Sequence, residues 1–239
     1  MGDIRPQLSV VIPCYNERRF IAQVLTAVKQ SIANQALDAE IVVVNDGSSD
    51  RGAEILAAIP GIVFIDLPRN RGKGGAVKAG IEAAKGDVIL IQDADLEYSP
   101  DDYSAVIAPI AKGTADLVMG SRFLESKPKF WGKGGAPYFT HYIGNILIVW
   151  LTNHLYGNRA TDYEACYKAF TRHLAATIPI RSNGFEYDNE LICKALKRGF
   201  RVVEVPVQYN PRSYEEGKKI TWRHGVKMLW TICKYRVTD

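Results

Sequence analysis

The 239-residue chain has no apolar run long enough to cross a bilayer. Its longest, Ile146 to Leu151, falls far short of the roughly 20 residues that a spanning helix needs. No apolar stretch follows Met1-Gly2-Asp3-Ile4-Arg5-Pro6, so no signal peptide is expected. Pro6 also stands where a myristoylation sequence carries Ser or Thr. Cysteine is scarce and scattered. Cys14, Cys166, Cys193 and Cys233 form no C-x-x-C pair and no paired spacing, which excludes a disulfide scaffold and fits free thiols in a reducing compartment. Internal repeats and low-complexity segments are lacking. Two familiar phosphate-binding loops are missing as well. The turn Gly72-Lys73-Gly74-Gly75 does not satisfy G-x-x-x-x-G-K-[ST], and Val77 occupies the place of the last glycine in the dinucleotide fingerprint. The net charge of +4 is too mild to name a partner. With no recognised nucleic-acid motif beside the basic residues, nucleic acid is not an expected partner.

The chain is long enough for one large domain with a sizeable core. Apolar runs at Leu8–Ile12, Glu40–Val44, Ile62–Leu67 and Val88–Ile91 read as strands. Between them, patterns such as Phe20, Ile21, Val24, Leu25 and Val28 recur at helical spacing. Strands alternating with helices predict an α/β fold, a mostly parallel sheet with helices on both faces. In such sheets ligands gather beyond the carboxyl ends of the strands. Each of these strands ends in a polar cluster: Tyr15 and Glu17, then Asp46, then Arg69 to Lys73, then Asp93 to Glu97. Four such clusters on one edge look like a nucleotide site. Arg69, Arg71 and Lys73 make the third cluster cationic, beside a helix N-terminus that favours anions.

The fourth cluster carries the most chemistry. Asp93, Asp95 and Glu97 follow a buried strand at every second position, so in extended backbone their carboxylates point to one side. Three like charges repel unless a cation sits among them, and hard oxygen ligands suit Mg²⁺ or Mn²⁺. A solvated acidic turn is the bland alternative, and the strand-end position favours the metal.

The second half is less regular. Asp116–Met119 reads as a short strand before Gly120-Ser121-Arg122-Phe123. Lys127–Pro137 is a basic, glycine-containing loop. Tyr138–Tyr156 reads as an apolar helix, expected to pack inside or to line a lipid groove. Arg201–Tyr209 alternates as a strand, with Pro206 suggesting an edge. Beyond Pro211, Trp222, Val226, Leu229, Trp230 and Cys233 recur at helical spacing among Lys218, Lys219, Arg223, Lys227, Lys234 and Arg236. Such a helix either packs its apolar stripe on the domain or lies on an anionic membrane surface with its Trp residues at headgroup depth. The expected division is a catalytic domain over residues 1–212, its two halves meeting near residue 120, and a basic amphipathic segment over 213–239.

Pro13-Cys14-Tyr15-Asn16-Glu17, Asn45-Asp46-Gly47-Ser48, Gln92-Asp93-Ala94-Asp95 and Gly120-Ser121-Arg122 together resemble the inverting family 2 glycosyltransferases of GT-A fold. Asp93-Ala94-Asp95-Leu96-Glu97 and Arg212-Ser213-Tyr214-Glu215-Glu216-Gly217-Lys218 resemble the dolichyl-phosphate mannose synthase branch, in particular its relatives without transmembrane helices. The resemblance implies that Pro13, Tyr15 and Glu17 hold the nucleobase and ribose of a nucleotide-diphospho-sugar donor. Asp46 would bond the base, and Val44, Lys73, Asp93 and Ala94 would also contact the donor. Asp95 would bind Mg²⁺ or Mn²⁺, flanked by Asp93 and Glu97. Arg122 and Arg212 would face the diphosphate or, with Lys218, the phosphate of a polyprenyl acceptor. Glu97 departs from the Gln of the mannose synthases. Phe185-Glu186-Tyr187-Asp188 departs too, toward the glucosyl and N-acetylglucosaminyl branch, so GDP-mannose, UDP-glucose and UDP-N-acetylglucosamine all stay open as donors. The implied place is the cytoplasmic face of a membrane, held peripherally.

A phosphate monoester is mostly dianionic at neutral pH, its second pKa being about 6, and needs no base to attack. A hydroxyl acceptor needs one. Asp162 stands where the family often places an acid, with Glu164 beside it. A sugar nucleotidyltransferase is a second reading, weakened by the absence of glycines from Cys14 to Arg19. A non-catalytic nucleotide-sugar binding module is a third.

Overall fold

The structure is a computed structural model and describes residues 8–125, 137–210 and 222–238. Arg212, Lys218, the expected Lys127–Pro137 loop apart from Pro137, which opens a helix, and the expected boundary at residue 212 lie outside them.

Seven described strands form one sheet: β1 (Leu8–Cys14), β2 (Ala39–Asn45), β3 (Val63–Asp66), β4 (Val88–Ile91), β5 (Leu117–Ser121), β6 (Lys168–Thr171) and β7 (Val202–Pro206). Their order is β3-β2-β1-β4-β6-β5-β7. All neighbouring pairs are parallel except those that β6 makes with β4 and β5. The expected parallel sheet is present, and β7 with Pro206 is its edge. β6 is the strand the sequence pattern does not reveal. It is four residues long and opens on a lysine.

The helices are α1 (Ile21–Asn34), α2 (Gly52–Ala57), α3 (Lys73–Ala83), α4 (Tyr103–Ala111), α5 (Pro137–Tyr156), α6 (Arg172–Thr177), α7 (Tyr187–Lys197) and α8 (Trp222–Val237). Alternate residues of a strand face opposite sides. Thus Val10, Ile12, Val43 and Leu90 pack on α1 and α4, while Val11, Val42, Ile89 and Ile91 pack on the layer of α3, α7 and α8. Both faces are covered, which explains why β4 is apolar at every position. Gly80 lets α3 approach the sheet, since a Cβ there would collide with the Val11 side chain.

α8 packs against α7 and α5 and buries Met228, Ile232 and Tyr235. That is not the stripe read from the sequence. Val226 and Trp230 are 57% and 69% exposed. α5 likewise buries Ile148 but exposes Ile143, Ile146, Leu147 and Trp150. No described helix is long and apolar enough to cross a membrane.

Candidate active site

The chain passes from β1 and β2 on one side to β4 on the other, so the sheet order switches beside β1, where a crevice opens beyond the strand ends. A cavity of about 750 Å³ lies there. The expected Pro13, Tyr15, Glu17, Asp46, Lys73, Asp93, Ala94, Asp95, Glu97 and Arg122 all line it. Val44 does not. It is wholly buried in the core beneath α3, and its side chain would crowd a Cβ at Gly80.

The turns that reach the cavity are tied to one another. Asn16 N–H donates to Ser48 Oγ at 2.9 Å, and Ser49 N–H donates to Asn16 Oδ1 at 2.8 Å, which locks the ends of β1 and β2 together. Asp46 accepts the N–H groups of Arg71 and Gly72 at 2.7 and 2.9 Å. Its carboxylate therefore shapes the turn into α3. Gly72 has φ +84°, and a Cβ there would strike the Asn183 carbonyl oxygen, so only glycine fits this turn. The turn delivers Lys73 to the first position of α3, where Nζ pairs with Asp93 Oδ1 at 2.6 Å. Burial disfavours both charges, but each holds the other ionised. Asp93 stays below the usual carboxylate range and Lys73 well above its own.

The acidic trio does not form as the sequence suggests. The backbone leaves the extended conformation after β4, and Glu97 N–H turns back to Asp95 Oδ1 at 3.1 Å. Asp93 is engaged by Lys73. Among the described residues no set of three His, Cys, Asp or Glu side chains is arranged to hold a metal by itself. Asp95 and Glu97 remain on the cavity wall. That pair fits a smaller role, because Mg²⁺ is commonly held by one or two carboxylates together with substrate phosphates. The loop is pinned from behind. Tyr98 bridges to Tyr209, and Asn210 N–H donates to Glu97 O at 2.8 Å. Cys166 Sγ accepts Asp93 N–H at 3.1 Å.

Arg122 and Asp162 are joined in a two-pronged ion pair, Nε to Oδ2 at 2.7 Å and Nη2 to Oδ1 at 2.9 Å. Asp162 also accepts the backbone N–H groups of Arg122 and Glu164. It is wholly buried and does not line the cavity. Burial alone would raise its carboxyl, but the charge and hydrogen bonds of Arg122 outweigh this and hold it below the usual range. A carboxylate so held is a poor proton acceptor. The Arg122 guanidinium lies 5.3 Å from the Tyr209 ring centroid and reaches the cavity. Glu164, by contrast, lines the cavity, and burial raises its carboxyl against the pull of Lys168 and Asn189.

Sequence reasoning gave no site role to Asn145, Cys166, Asp188, Tyr209 or His224, all of which line the cavity. Only Asp188 left a trace, in the departure at Phe185–Asp188. The others converge from α5, the segment before β6, the segment after β7 and α8, and no linear spacing relates them.

A glycosyl transferase family 2 model matches residues 9–175. The chain is 34% identical over 231 residues to a low-salt glycan biosynthesis hexosyltransferase of Haloferax volcanii, covering 95% of this chain but only 54% of that protein. It is 28% identical over 245 residues to a dolichyl-phosphate beta-glucosyltransferase of Trichomonas vaginalis, covering 96% of this chain and 73% of the relative. It is 26% identical over 244 residues to a UDP-N-acetylglucosamine–dolichyl-phosphate N-acetylglucosaminyltransferase of Methanococcus voltae, covering 93% of each. Among solved structures, glucosyl-3-phosphoglycerate synthase from Mycobacterium tuberculosis, in complex with Mn²⁺, UDP and phosphoglyceric acid, superimposes with a TM-score of 0.72 at 20% identity, covering 98% of this chain and 80% of that one. At that identity the likeness speaks to the fold, which is GT-A. With most of the length matched by the family model and the cavity in the place the fold reserves for ligands, the chain belongs to glycosyl transferase family 2 and is a glycosyltransferase.

Proposed function

We propose that the enzyme transfers a hexosyl unit from a nucleotide-diphospho-sugar to a polyprenyl phosphate at a membrane surface, with inversion at the anomeric carbon and with Mg²⁺ or Mn²⁺ bound at Asp95 and Glu97. The observation that carries this reading is the distribution of charge around one cavity. Lys73 and Arg122 present cations from two sides, and Asp95 and Glu97 stand on the wall. Lys73, fixed by Asp93, suits the donor diphosphate. Arg122, fixed by Asp162, suits a second anion, the acceptor phosphate. When bound, the divalent ion supplies a Lewis acid that offsets charge on the departing nucleotide. Pro13, Tyr15 and Glu17 form the end of the cavity suited to the base and ribose.

An acceptor phosphate needs no general base, and the commitment of Asp162 to Arg122 supports that choice. The relatives named for dolichyl-phosphate acceptors support it too. The membrane surface is supported by the exposed apolar residues of α5 and α8, helices that also line the cavity, and by exposed Arg223, Lys227 and Lys234 among them.

The test is a donor panel of UDP-glucose, UDP-N-acetylglucosamine and GDP-mannose with Mg²⁺ or Mn²⁺ and polyprenyl phosphate in vesicles. Sugar-lipid product from at least one donor is expected. Glycosylation of hydroxyl acceptors, with no sugar-lipid from any donor, would overturn the assignment.

A further inference from the structure

Glu204 stands at the middle of β7, the edge strand, in register with Met119 of β5. Alternation along the strand gives it the same face as Val202, which packs on the core. A carboxylate on such a face needs partners. Glu204 finds them in one turn of distant chain. Its Oε2 accepts Thr161 N–H at 2.7 Å. Its Oε1 accepts Asp162 N–H at 2.7 Å and the Thr161 hydroxyl at 3.2 Å. The Thr161 hydroxyl also lies 2.8 Å from Ser121 Oγ, at the end of β5.

Two successive N–H groups held by one carboxylate fix the orientation of two successive peptides. The second of them enters Asp162, so the direction in which the Asp162 side chain leaves the backbone is set as well. Asp162 is wholly buried and grips Arg122 by both prongs. Arg122 reaches the cavity, whereas neither Glu204 nor Asp162 lines it. Any effect of Glu204 on a ligand therefore passes through other residues, and the hydrogen bonds name them.

We propose that Glu204 is a positioning residue, which clamps the Thr161–Asp162 turn and, through Asp162, aims the Arg122 guanidinium at the acceptor. This rests on the reading of Arg122 as the group that meets the acceptor phosphate. Glutamine is a poor substitute, because its NH₂ group would face one of the two N–H donors.

Steady-state kinetics on the full chain, with polyprenyl phosphate in vesicles and a donor that turns over, tests it beside calorimetry with UDP and GDP. Glu204→Gln is expected to raise the KM for polyprenyl phosphate about tenfold, the scale of one misdirected charge-assisted hydrogen bond. The kcat at saturating acceptor is expected to stay within about twofold, and nucleoside diphosphate affinity to be unchanged. Arg122→Gln is expected to raise the same KM, and adding Glu204→Gln to it to cause no further rise, because both act through one contact. An unchanged KM in Glu204→Gln, a parallel loss of nucleotide affinity, or a further rise of about tenfold in the double variant would overturn the positioning role. Should Glu204→Gln bind no nucleoside diphosphate, Glu204→Asp decides by the same criteria, since it keeps both oxygens but draws them back by one methylene. A wild-type enzyme that forms no sugar-lipid overturns the acceptor reading and the role with it. Sugar-lipid formation with an unchanged KM in the variant overturns the role alone.

Discussion

Among the described residues a buried charge is met by a second group, and the pairings sort the carboxylates by task. Glu190 is the clearest structural case. It is wholly buried, accepts the N–H groups of Arg181 and Ser182, and pairs with Lys194 at 2.6 Å. Burial raises its carboxyl, but Lys194 and the Ser182 and Arg181 donors prevail and bring it down from 4.5 to about 2. The folded value lies below the unfolded one, so the stabilisation is complete above pH 4.5 and is lost as the pH falls toward 2. Glu190→Gln leaves Lys194 buried without its counter-charge and is expected to cost about 3–5 kcal/mol, read from urea unfolding at pH 7. The same variant is expected to show a shallower loss of stability than wild type between those pH values. An equal slope would remove Glu190 from the acid response. Lys73 belongs to the other task. Lys73→Met is expected to weaken nucleoside diphosphate binding by about 10- to 100-fold, the value of a charge-assisted hydrogen bond, and to lower stability as well, since Asp93 loses its counter-charge. Titration of UDP and GDP into the variant checks it.

Elements were legible in the sequence in proportion to how local their signals are. β4 was read with its observed ends because an unbroken apolar run bounded by Asp87 and Gln92 has one interpretation. β6 was not read. Its Lys168 looks like a surface residue until Asp188, far along the chain, is folded beside it. The carboxyl-edge cluster was legible because each strand carries its own polar ending. The engagement of Asp162 by Arg122, of Asp46 by the Arg71–Gly72 turn and of Asp93 by Lys73 was not, since no periodicity records contacts between distant segments. Of the two readings of the α8 stripe, packing on the domain holds for Leu229 and not for Val226 or Trp230, for a related reason. Trp230 and Val226 have the right spacing for burial, but Met228, Ile232 and Tyr235 one face away meet α7 and α5. The consequence is testable at the level of the helix. Trp230→Ala together with Val226→Ser is expected to leave urea stability within about 0.5 kcal/mol, as for surface positions. It is expected to lower co-sedimentation with anionic vesicles severalfold. A large loss of stability with unchanged vesicle binding would return the stripe to a packing role.

At the scale of the whole molecule, the antiparallel β6 is what closes the site. Because it runs against β4, its leading segment, with Asp162, Glu164 and Cys166, reaches the same edge as the acidic loop after β4. Arg122 enters from β5 and Asp188 from α7. Exposed lysines and arginines lie beside the exposed apolar residues on α8, so vesicle binding is expected to weaken as salt rises from 50 to 500 mM, roughly 1 kcal/mol being at stake for each basic residue near the surface. Measurement on neutral vesicles, where the salt dependence should vanish, separates this from apolar insertion.

Pro13 and Leu229 border the same cavity. The first lies on β1 and the second on α8, so residues far apart in the sequence must meet before the chamber is enclosed. Loss of α8 would open the cavity on that side while leaving all seven described strands of the sheet in the chain.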